Sequence, residues 1–78
     1  MIKLIIITPT ELIVNVFCQS VTLPGVSGEL QILPNHSSII TILKPGRIIY
    51  DNMQLDITSG YAEIHNNVLS VICKEQPM

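Results

Sequence analysis

Short apolar runs separated by turn residues dominate the pattern of this chain. The first run covers residues 2–8 and is closed by Pro9, and runs of similar length recur along the whole sequence. Apolar and polar residues alternate strictly over residues 54–58 and 61–65, a period of two that is typical of half-buried strands. No segment of ten or more residues has a convincing helical period. The pattern therefore predicts an all-β chain.

Turn residues divide these runs into strands. The predicted strands cover residues 2–8, 12–17, 18–23, 30–33, 39–43, 47–50, 53–58, 61–65 and 68–73. Pro24-Gly25 predicts a loop through residues 26–29, and Asp51-Asn52 predicts a two-residue hairpin turn. Ser59-Gly60 predicts a turn between the two alternating segments, whereas residues 12–17 and 18–23 are either one bent strand or two strands across a bulge. The regular spacing predicts an antiparallel sandwich or barrel.

Composition supports the same fold class. Of the 78 residues, 25 are isoleucine, valine or threonine, and alanine occurs once. Side chains branched at Cβ lose rotamer freedom in helices but pack well on sheets, so a helical bundle is excluded. The length predicts a single domain over residues 1–78, in which residues 74–78 form a frayed tail.

Charge and hydrophobic run length exclude several functions. The formal net charge is −2, and the basic residues are scattered, so we expect no nucleic-acid partner. The longest apolar run is four residues, too short for membrane insertion or a signal peptide. Cys18 and Cys73 do not make a disulfide framework, and we expect both to be small buried side chains of a cytosolic protein.

The sequence offers little for catalysis. It has no phosphate-binding glycine motif, no paired metal ligands and no nucleophile elbow, and His36-Ser37 with Asp51 or Asp56 is a weak catalytic set. We therefore expect no enzymatic activity, no cofactor, no metal and no small-molecule substrate. A swinging-arm carrier domain has a similar size, but the hairpin tip at Asp51-Asn52 lacks the lysine that carries its cargo. A free-standing carrier or ligand-binding module remains the alternative.

Four motifs in order identify a family. They are Leu23-Pro24-Gly25-Val26-Ser27-Gly28-Glu29, Ile32-Leu33-Pro34-Asn35-His36, Thr41-Ile42-Leu43-Lys44-Pro45-Gly46 and Ser59-Gly60-Tyr61-Ala62-Glu63-Ile64. Together they resemble the N-terminal β-sandwich domain of the epsilon subunit of F-type ATP synthase, which is called delta in mitochondria. The resemblance covers essentially the whole chain and implies an antiparallel sandwich of about eight to ten short strands.

The resemblance also implies a role. In this family the domain is a non-catalytic rotor part that packs on the gamma subunit and on the ring of c subunits, peripheral to the membrane. By motif position, the ring-facing loop falls on Ser27, Gly28, Glu29 and Leu30. The gamma-facing positions fall on Thr8, Pro9, His36, Ser37 and Thr41. In a bacterium this places the protein on the cytoplasmic face of the inner membrane, as part of the ATP synthase.

The chain departs from the family at several positions. The family's C-terminal pair of helices, which restrains ATP hydrolysis, has no counterpart in the sequence, so we expect no helical inhibitory domain. Gln31 and Asn35 stand where glycine is frequent, and asparagine tolerates the left-handed conformation that a turn requires there. Tyr61 replaces a glycine, with Ala62 where a large aromatic residue is common.

Overall fold

Eight strands account for the fold of residues 1–75, which are the residues that the computed structural model describes. They are β1 (Ile2–Ile7), β2 (Leu12–Cys18), β3 (Val21–Gly25), β4 (Gly28–Ile32), β5 (Ile39–Leu43), β6 (Gly46–Tyr50), β7 (Met53–His65) and β8 (Val68–Glu75). Within these 75 residues there is no helix that could cross a membrane. The all-β prediction is confirmed.

The strands form two layers that share β7. Hydrogen-bonded neighbours follow the order β2-β1-β8-β7-β5-β3-β4, and β6 joins β3 to β7. The second half of β7 pairs with β5 and β8, whereas its first half pairs mainly with β6. One layer is thus β2-β1-β8-β7-β5, called here the five-stranded layer, and the other is β4-β3-β6 with the start of β7. Buried side chains from both layers belong to one cluster, so their inner faces pack together.

Alternation along the strands builds this core. In β1 every second residue is fully buried, and in β7 Ala62 and Ile64 are buried while Glu63 and His65 are exposed. The fully buried larger side chains are those of Ile2, Leu4, Ile6, Leu23, Ile32, Ile48, Ile57, Ile64, Leu69, Val21 and Val71. Most are branched at Cβ, as expected for side chains that fill the space between two pleated layers.

The predicted turn at Ser59-Gly60 is wrong. The chain runs through this point as one strand of 13 residues, and a register shift between Ile57 and Ser59 marks a bulge against β8. Gly60 is needed there because β8 approaches closely. A Cβ atom at Gly60 would lie 2.5 Å from the Ile72 carbonyl oxygen and 2.7 Å from the Cβ atom of Cys73. Here the glycine permits close strand contact and does not turn the chain.

Two other predicted boundaries also move. Pro24 and Gly25 end β3 rather than opening a loop, because Pro24 pairs with Glu29 and Gly25 with Gly28. Only residues 26–27 form the turn. Residues 12–23 form two strands, since the N–H groups of Gln19 and Ser20 both donate to Asp51 Oδ1, at 3.0 and 3.4 Å, and hold the corner between them. At the other end of the chain β8 continues through residues 74–75, so these are not frayed; residues 76–78 lie outside the described part.

Residues with left-handed backbone form the hairpin turns, and the turn at Asp51 was predicted from its residue types. Asp51 adopts φ 51° at the tip between β6 and β7, and Asn66 and Asn67 adopt φ 49° and 63° between β7 and β8. Asn35 adopts φ 66°, as predicted for an asparagine that replaces glycine. One pairing departs from the antiparallel pattern: β1 lies parallel to β8. A local sequence pattern cannot reveal this pair, because the two strands are separated by most of the chain.

Candidate interaction surfaces

Two isoleucines of β5 point out of the five-stranded layer. Ile40 is 71% exposed and Ile42 is 62% exposed. Tyr61 of β7 lies opposite Ile42 in the strand register and is 47% exposed. Because successive side chains of a strand point to opposite faces, Ile40, Ile42 and their partners on β7 share the outer side.

The same outer side carries further apolar residues across the layer. Tyr61 pairs with Ile72 of β8, and Ile72 pairs with Ile7 of β1. Both isoleucines are half-buried. We call Ile7, Ile40, Ile42, Tyr61 and Ile72 together the apolar face. A contiguous apolar surface on a small protein is typical of a site where another protein docks.

Thr8 and Pro9 follow β1 directly and lie beside the apolar face. Pro9 lines a shallow depression of about 190 Å³ together with Tyr61 and Ile72. Thr8 fixes the chain there: its N–H donates to the Glu11 carbonyl oxygen at 2.8 Å, and its Oγ1 accepts from the Glu11 N–H at 3.2 Å. Pro9 is thus a predicted gamma-facing residue that the structure brings to the apolar face.

His36 and Ser37 lie at the opposite end of β5, in the connection from β4. His36 Nδ1 is 2.7 Å from the Ser37 carbonyl oxygen; this oxygen only accepts, so the proton is on Nδ1. The neighbouring Asn35 N–H donates to Asn67 Oδ1 at 2.6 Å, which ties the loop to the β7–β8 hairpin. Pro9 instead follows β1, three strands away from β5 in the layer, and lies beside Tyr61 and Ile72. The predicted gamma-facing residues therefore lie at opposite ends of the five-stranded layer and do not form a single cluster.

Thr41 is the predicted gamma-facing residue that lies within β5, and its side chain points to the inner side of the layer. It pairs with the buried Ala62 and is itself half-buried. Its Oγ1 lies 3.6 Å from the point that a Cβ atom of Gly25 would occupy. Thr41 therefore fills the junction between β5 and the β3–β4 hairpin, and the outward positions on either side of it belong to Ile40 and Ile42.

The predicted ring-facing residues form the β3–β4 turn and the start of β4. Gly28 adopts φ 134°, which side chains rarely permit, and a Cβ atom at Gly25 would lie 2.7 Å from the Gly28 carbonyl oxygen. These two glycines close a tight hairpin that exposes Ser27 and Glu29. Leu30 is half-buried and packs against the core, so it anchors the turn.

Charges of both signs surround Glu29. It lines a groove of about 460 Å³ with Lys44, Arg47 and Asp56. Arg47 Nε is 3.1 Å from Asp56 Oδ1, and both side chains are about half exposed, at 53% and 54%. An exposed pair of this kind contributes about 0–1 kcal/mol. The four charged side chains that line this groove are suited to partners that present charged side chains of their own.

The two thiols lie inside the protein. Burial first, and then the negative charge of Glu75, raises the pKa of the Cys73 thiol above its ordinary value of 9.0. Burial and then Asp51 raise the pKa of the Cys18 thiol against a smaller opposing effect of the N-terminal amine. Both thiols are free and remain neutral near pH 7, where a thiolate would be required for nucleophilic chemistry. Residues 1–75 bring together no group of three potential metal ligands.

Sequence reasoning missed the apolar face. Its signal was present in residues 39–43, where four of five residues are large and apolar, so that both sides of the strand must be hydrophobic. A strand buried on one side needs only alternate apolar positions. The two additional apolar residues, Ile40 and Ile42, make the second side of β5 hydrophobic as well, which is typical of a surface that contacts another protein.

The fold and these surfaces define a small β-sandwich interaction module. The family described as "ATP synthase, Delta/Epsilon chain, beta-sandwich domain" matches residues 1–76. The chain belongs to this family, and the predicted sandwich is confirmed.

Bacterial relatives agree with this family. The chain is 39% identical over 71 residues to the ATP synthase epsilon chain of Lawsonia intracellularis, a match that covers 86% of this chain and 53% of the relative. It is 34% identical over 79 residues to that of Campylobacter jejuni subsp. doylei, covering 95% of this chain and 61% of the relative. The chain thus spans little more than half the length of these curated relatives.

Solved structures share the fold at low sequence identity. A chain in the cryo-EM structure of the central stalk and c-ring of Tetrahymena thermophila mitochondrial ATP synthase matches with a TM-score of 0.82 and 16% identity, over 95% of this chain and 63% of that one. A chain of the Euglena gracilis mitochondrial ATP synthase matches with a TM-score of 0.84 and 22% identity, over 95% and 51%. At such identity the likeness shows the fold.

Proposed function

We propose that this chain is a non-catalytic rotor subunit of an F-type ATP synthase. It attaches the gamma subunit to the ring of c subunits, so that ion-driven rotation of the ring turns gamma and leads to ATP synthesis. The observation that carries the proposal is the exposed apolar face on a sandwich of the ATP synthase delta/epsilon family. Its place is peripheral, on the cytoplasmic side of the bacterial inner membrane, in keeping with the bacterial relatives.

The apolar face is the part that docks on gamma. Removing an isoleucine side chain from water contributes about 1.5–3 kcal/mol, and Ile40 and Ile42 are both available for this. Pro9 lies beside Tyr61 at one end of the five-stranded layer, and His36 and Ser37 lie at the other end, just before β5, so gamma contacts the layer along the length of its strands. Thr41 supports the strand from the inner side.

The β3–β4 turn is the part that meets the ring. Ser27 and Glu29 are exposed, Gly28 gives the backbone its turn, and Leu30 anchors the turn to the core. A carboxylate at this position pairs with a basic side chain of the ring, and each such exposed pair adds about 0–1 kcal/mol. The ring contact is therefore weaker per residue than the gamma contact and depends on salt.

Binding to the gamma subunit of the same organism tests the proposal. Native mass spectrometry should detect a one-to-one complex, and binding should raise the melting temperature of the chain. Ile40→Lys should weaken the complex about thirtyfold, since a central apolar contact is typically worth about 2 kcal/mol. Ile40 lies opposite Glu63, so the new lysine faces an opposite charge and the sheet should remain folded.

A matched control is Gln31→Lys on β4, which adds the same charge at an exposed position away from the apolar face. It should bind gamma as the unchanged chain does. The proposed docking on β5 would be refuted if the unchanged chain does not bind gamma at micromolar concentrations. It would also be refuted if Ile40→Lys and Gln31→Lys weaken binding to gamma equally.

A further inference from the structure

The connection between β4 and β5, residues 33–38, has no buried side chain to hold it in place. It carries His36 and Ser37, two of the predicted gamma-facing residues, and even Leu33 is 49% exposed. A backbone hydrogen bond within it runs from the His36 N–H to the Leu33 carbonyl oxygen, at 3.2 Å. A segment with few buried apolar contacts has low local stability. The order of this loop therefore depends on contacts with other parts of the chain.

The β7–β8 hairpin provides such contacts through Asn67. The Asn35 N–H donates to Asn67 Oδ1 at 2.6 Å, and Asn67 Nδ2 donates in return to Asn35 Oδ1 at 3.2 Å. The first bond fixes the orientation of the Asn67 amide, because a backbone N–H only donates and its acceptor must be oxygen. The backbone carbonyl oxygen of Asn67 also accepts from the Lys3 N–H at 2.8 Å. Asn67 therefore joins the loop to the hairpin and to the start of β1.

A second contact holds the other end of the loop to the same hairpin. Ser38 Oγ is hydrogen-bonded to His65 Nδ1 at 3.0 Å. The two contacts begin at Asn35 and Ser38, and the residues between them are His36 and Ser37. The two predicted gamma-facing residues of the loop are thus the ones that the hairpin holds from both sides.

We propose that Asn67 is a positioning residue for gamma binding, which acts by holding His36 and Ser37 in the arrangement that gamma contacts. The proposal rests on the proposed function, in which this loop is one end of the gamma contact. Ordering a loop during binding costs conformational entropy, so a partner binds more tightly to a loop that is already ordered. Asn67 orders this loop before gamma binds.

Two neighbouring asparagines of one turn provide a variant and its control. Asn67 adopts φ 63°, which glycine accepts readily, so Asn67→Gly keeps the turn but loses both side-chain bonds to Asn35. Asn66→Gly is the matched control, because Asn66 adopts φ 49° in the same turn and its side chain bonds His65 instead of the loop. Each variant adds one glycine, so the entropy of the unfolded chain rises equally in both. The two variants differ in the bonds to Asn35.

Hydrogen exchange of the chain alone, followed by NMR, tests whether Asn67 orders the loop. In Asn67→Gly the amides of Asn35 and His36 should exchange about tenfold faster, since the loop opens more often. The amides of β5 should exchange as in the unchanged chain, and Asn66→Gly should leave the loop amides unchanged. If Asn67→Gly does not accelerate exchange in the loop, the proposal is wrong.

Isothermal titration calorimetry with the gamma subunit tests the consequence for binding. Asn67→Gly should bind about tenfold more weakly, which corresponds to the backbone order of about one residue that must be regained on binding. The loss should come from a less favourable binding entropy. Asn66→Gly should bind like the unchanged chain. Unchanged affinity of Asn67→Gly, or an equal loss of affinity in both variants, would contradict the positioning role.

Coupling to His36 distinguishes a positioning role from a merely structural one. In a chain that already carries His36→Ala, Asn67→Gly should weaken gamma binding less than it does in the unchanged chain, because part of the contact that it positions is gone. Losses of affinity that simply add would mean that Asn67 contacts gamma by itself or only stabilises the fold. Either result would overturn the proposal.

Failure of this proposal can be told apart from failure of the proposed function. If Ile40→Lys weakens gamma binding but Asn67→Gly does not, the proposed function stands and only the positioning role of Asn67 is wrong. If the unchanged chain does not bind gamma, the proposed function is wrong, and the positioning role is refuted with it even if Asn67 orders the loop in hydrogen exchange.

Discussion

The apolar face and the β3–β4 turn offer a binding partner different physical interactions. The apolar face presents Ile40 and Ile42 on a strand that is paired with β7 along its length. The turn presents Ser27 and Glu29 on a hairpin of two short strands. Burial of one isoleucine is worth about 1.5–3 kcal/mol, and one exposed ion pair about 0–1 kcal/mol. A permanent attachment is therefore expected at the apolar face, and an adjustable, salt-dependent one at the turn.

The two regions also differ in what holds them in place. The apolar face depends on close contact between β7 and β8 at Gly60, where backbone atoms leave no room for a side chain. The turn depends on Gly25 and Gly28 and on the half-buried Leu30. A change at the β7–β8 contact should therefore affect the whole layer, whereas a change at the tip of the turn should remain local.

The largest effect is expected from Gly60→Ala. The added methyl group meets the Ile72 carbonyl oxygen and Cys73, and such overpacking costs about 1–3 kcal/mol of the free energy of unfolding. For a chain of this size this corresponds to a melting temperature lower by about 5–20 °C in thermal unfolding followed by circular dichroism. Ser59→Ala, at the exposed neighbouring position, is the control and should change the melting temperature little. Equal stability of the two variants would contradict the close contact.

A smaller effect is expected from Glu29→Gln. The substitution removes a charge at an exposed position, so affinity for the isolated c-ring should fall by no more than about fivefold at low salt. At high salt the difference between the two chains should disappear, because exposed charges are screened. Binding should be measured by surface plasmon resonance at two salt concentrations. A large loss of affinity that is independent of salt would mean that Glu29 is buried in the interface. The turn would then not be the weaker, salt-dependent contact that distinguishes it from the apolar face.

The smallest effect is expected from the buried thiols at high pH. Burial raises the pKa of both thiols, so the folded chain holds these protons more tightly than the unfolded chain does. Stability should then be unaffected by the thiols below the ordinary thiol pKa of 9.0 and should decrease as pH rises from there through the folded pKa.

Urea unfolding at about pH 7 and about pH 10 measures this decrease. Cys73→Ala is the control: it should lose part of the alkaline destabilisation, although it is less stable than the unchanged chain at both pH values. If Cys73→Ala loses more stability between these two pH values than the unchanged chain does, the raised pKa of Cys73 is contradicted.

The strands were largely predictable because burial on one side imposes a period of two. Residues 39–43 were predicted with the observed bounds, and the predicted alternation over residues 61–65 agrees with the buried Ala62 and Ile64. Turn chemistry predicted the hairpin at Asp51 and the left-handed Asn35. These features depend on each residue and its immediate neighbours, which the sequence contains.

Predictions failed where a residue's role depends on a distant strand. Gly60 and Gly25 resemble turn residues locally, but the first permits contact with β8 and the second closes the β3–β4 hairpin with Gly28. The position of Thr41 is similar: its motif predicts a gamma contact, whereas its side chain lies on the inner side of β5. That contact remains a prediction, as do those of the other motif residues.

Local patterns and the ordered motifs were enough to predict the all-β class, the positions of most strands, the alternation of buried residues and the family. They could not predict that β1 lies parallel to β8, that β7 passes through both layers, or that four outward side chains line up across four strands, those of Ile7, Ile72, Tyr61 and Ile42. These features depend on strand pairing, which joins residues far apart in the chain. One-dimensional periodicity specifies which side of a strand is apolar but not which strand lies beside it.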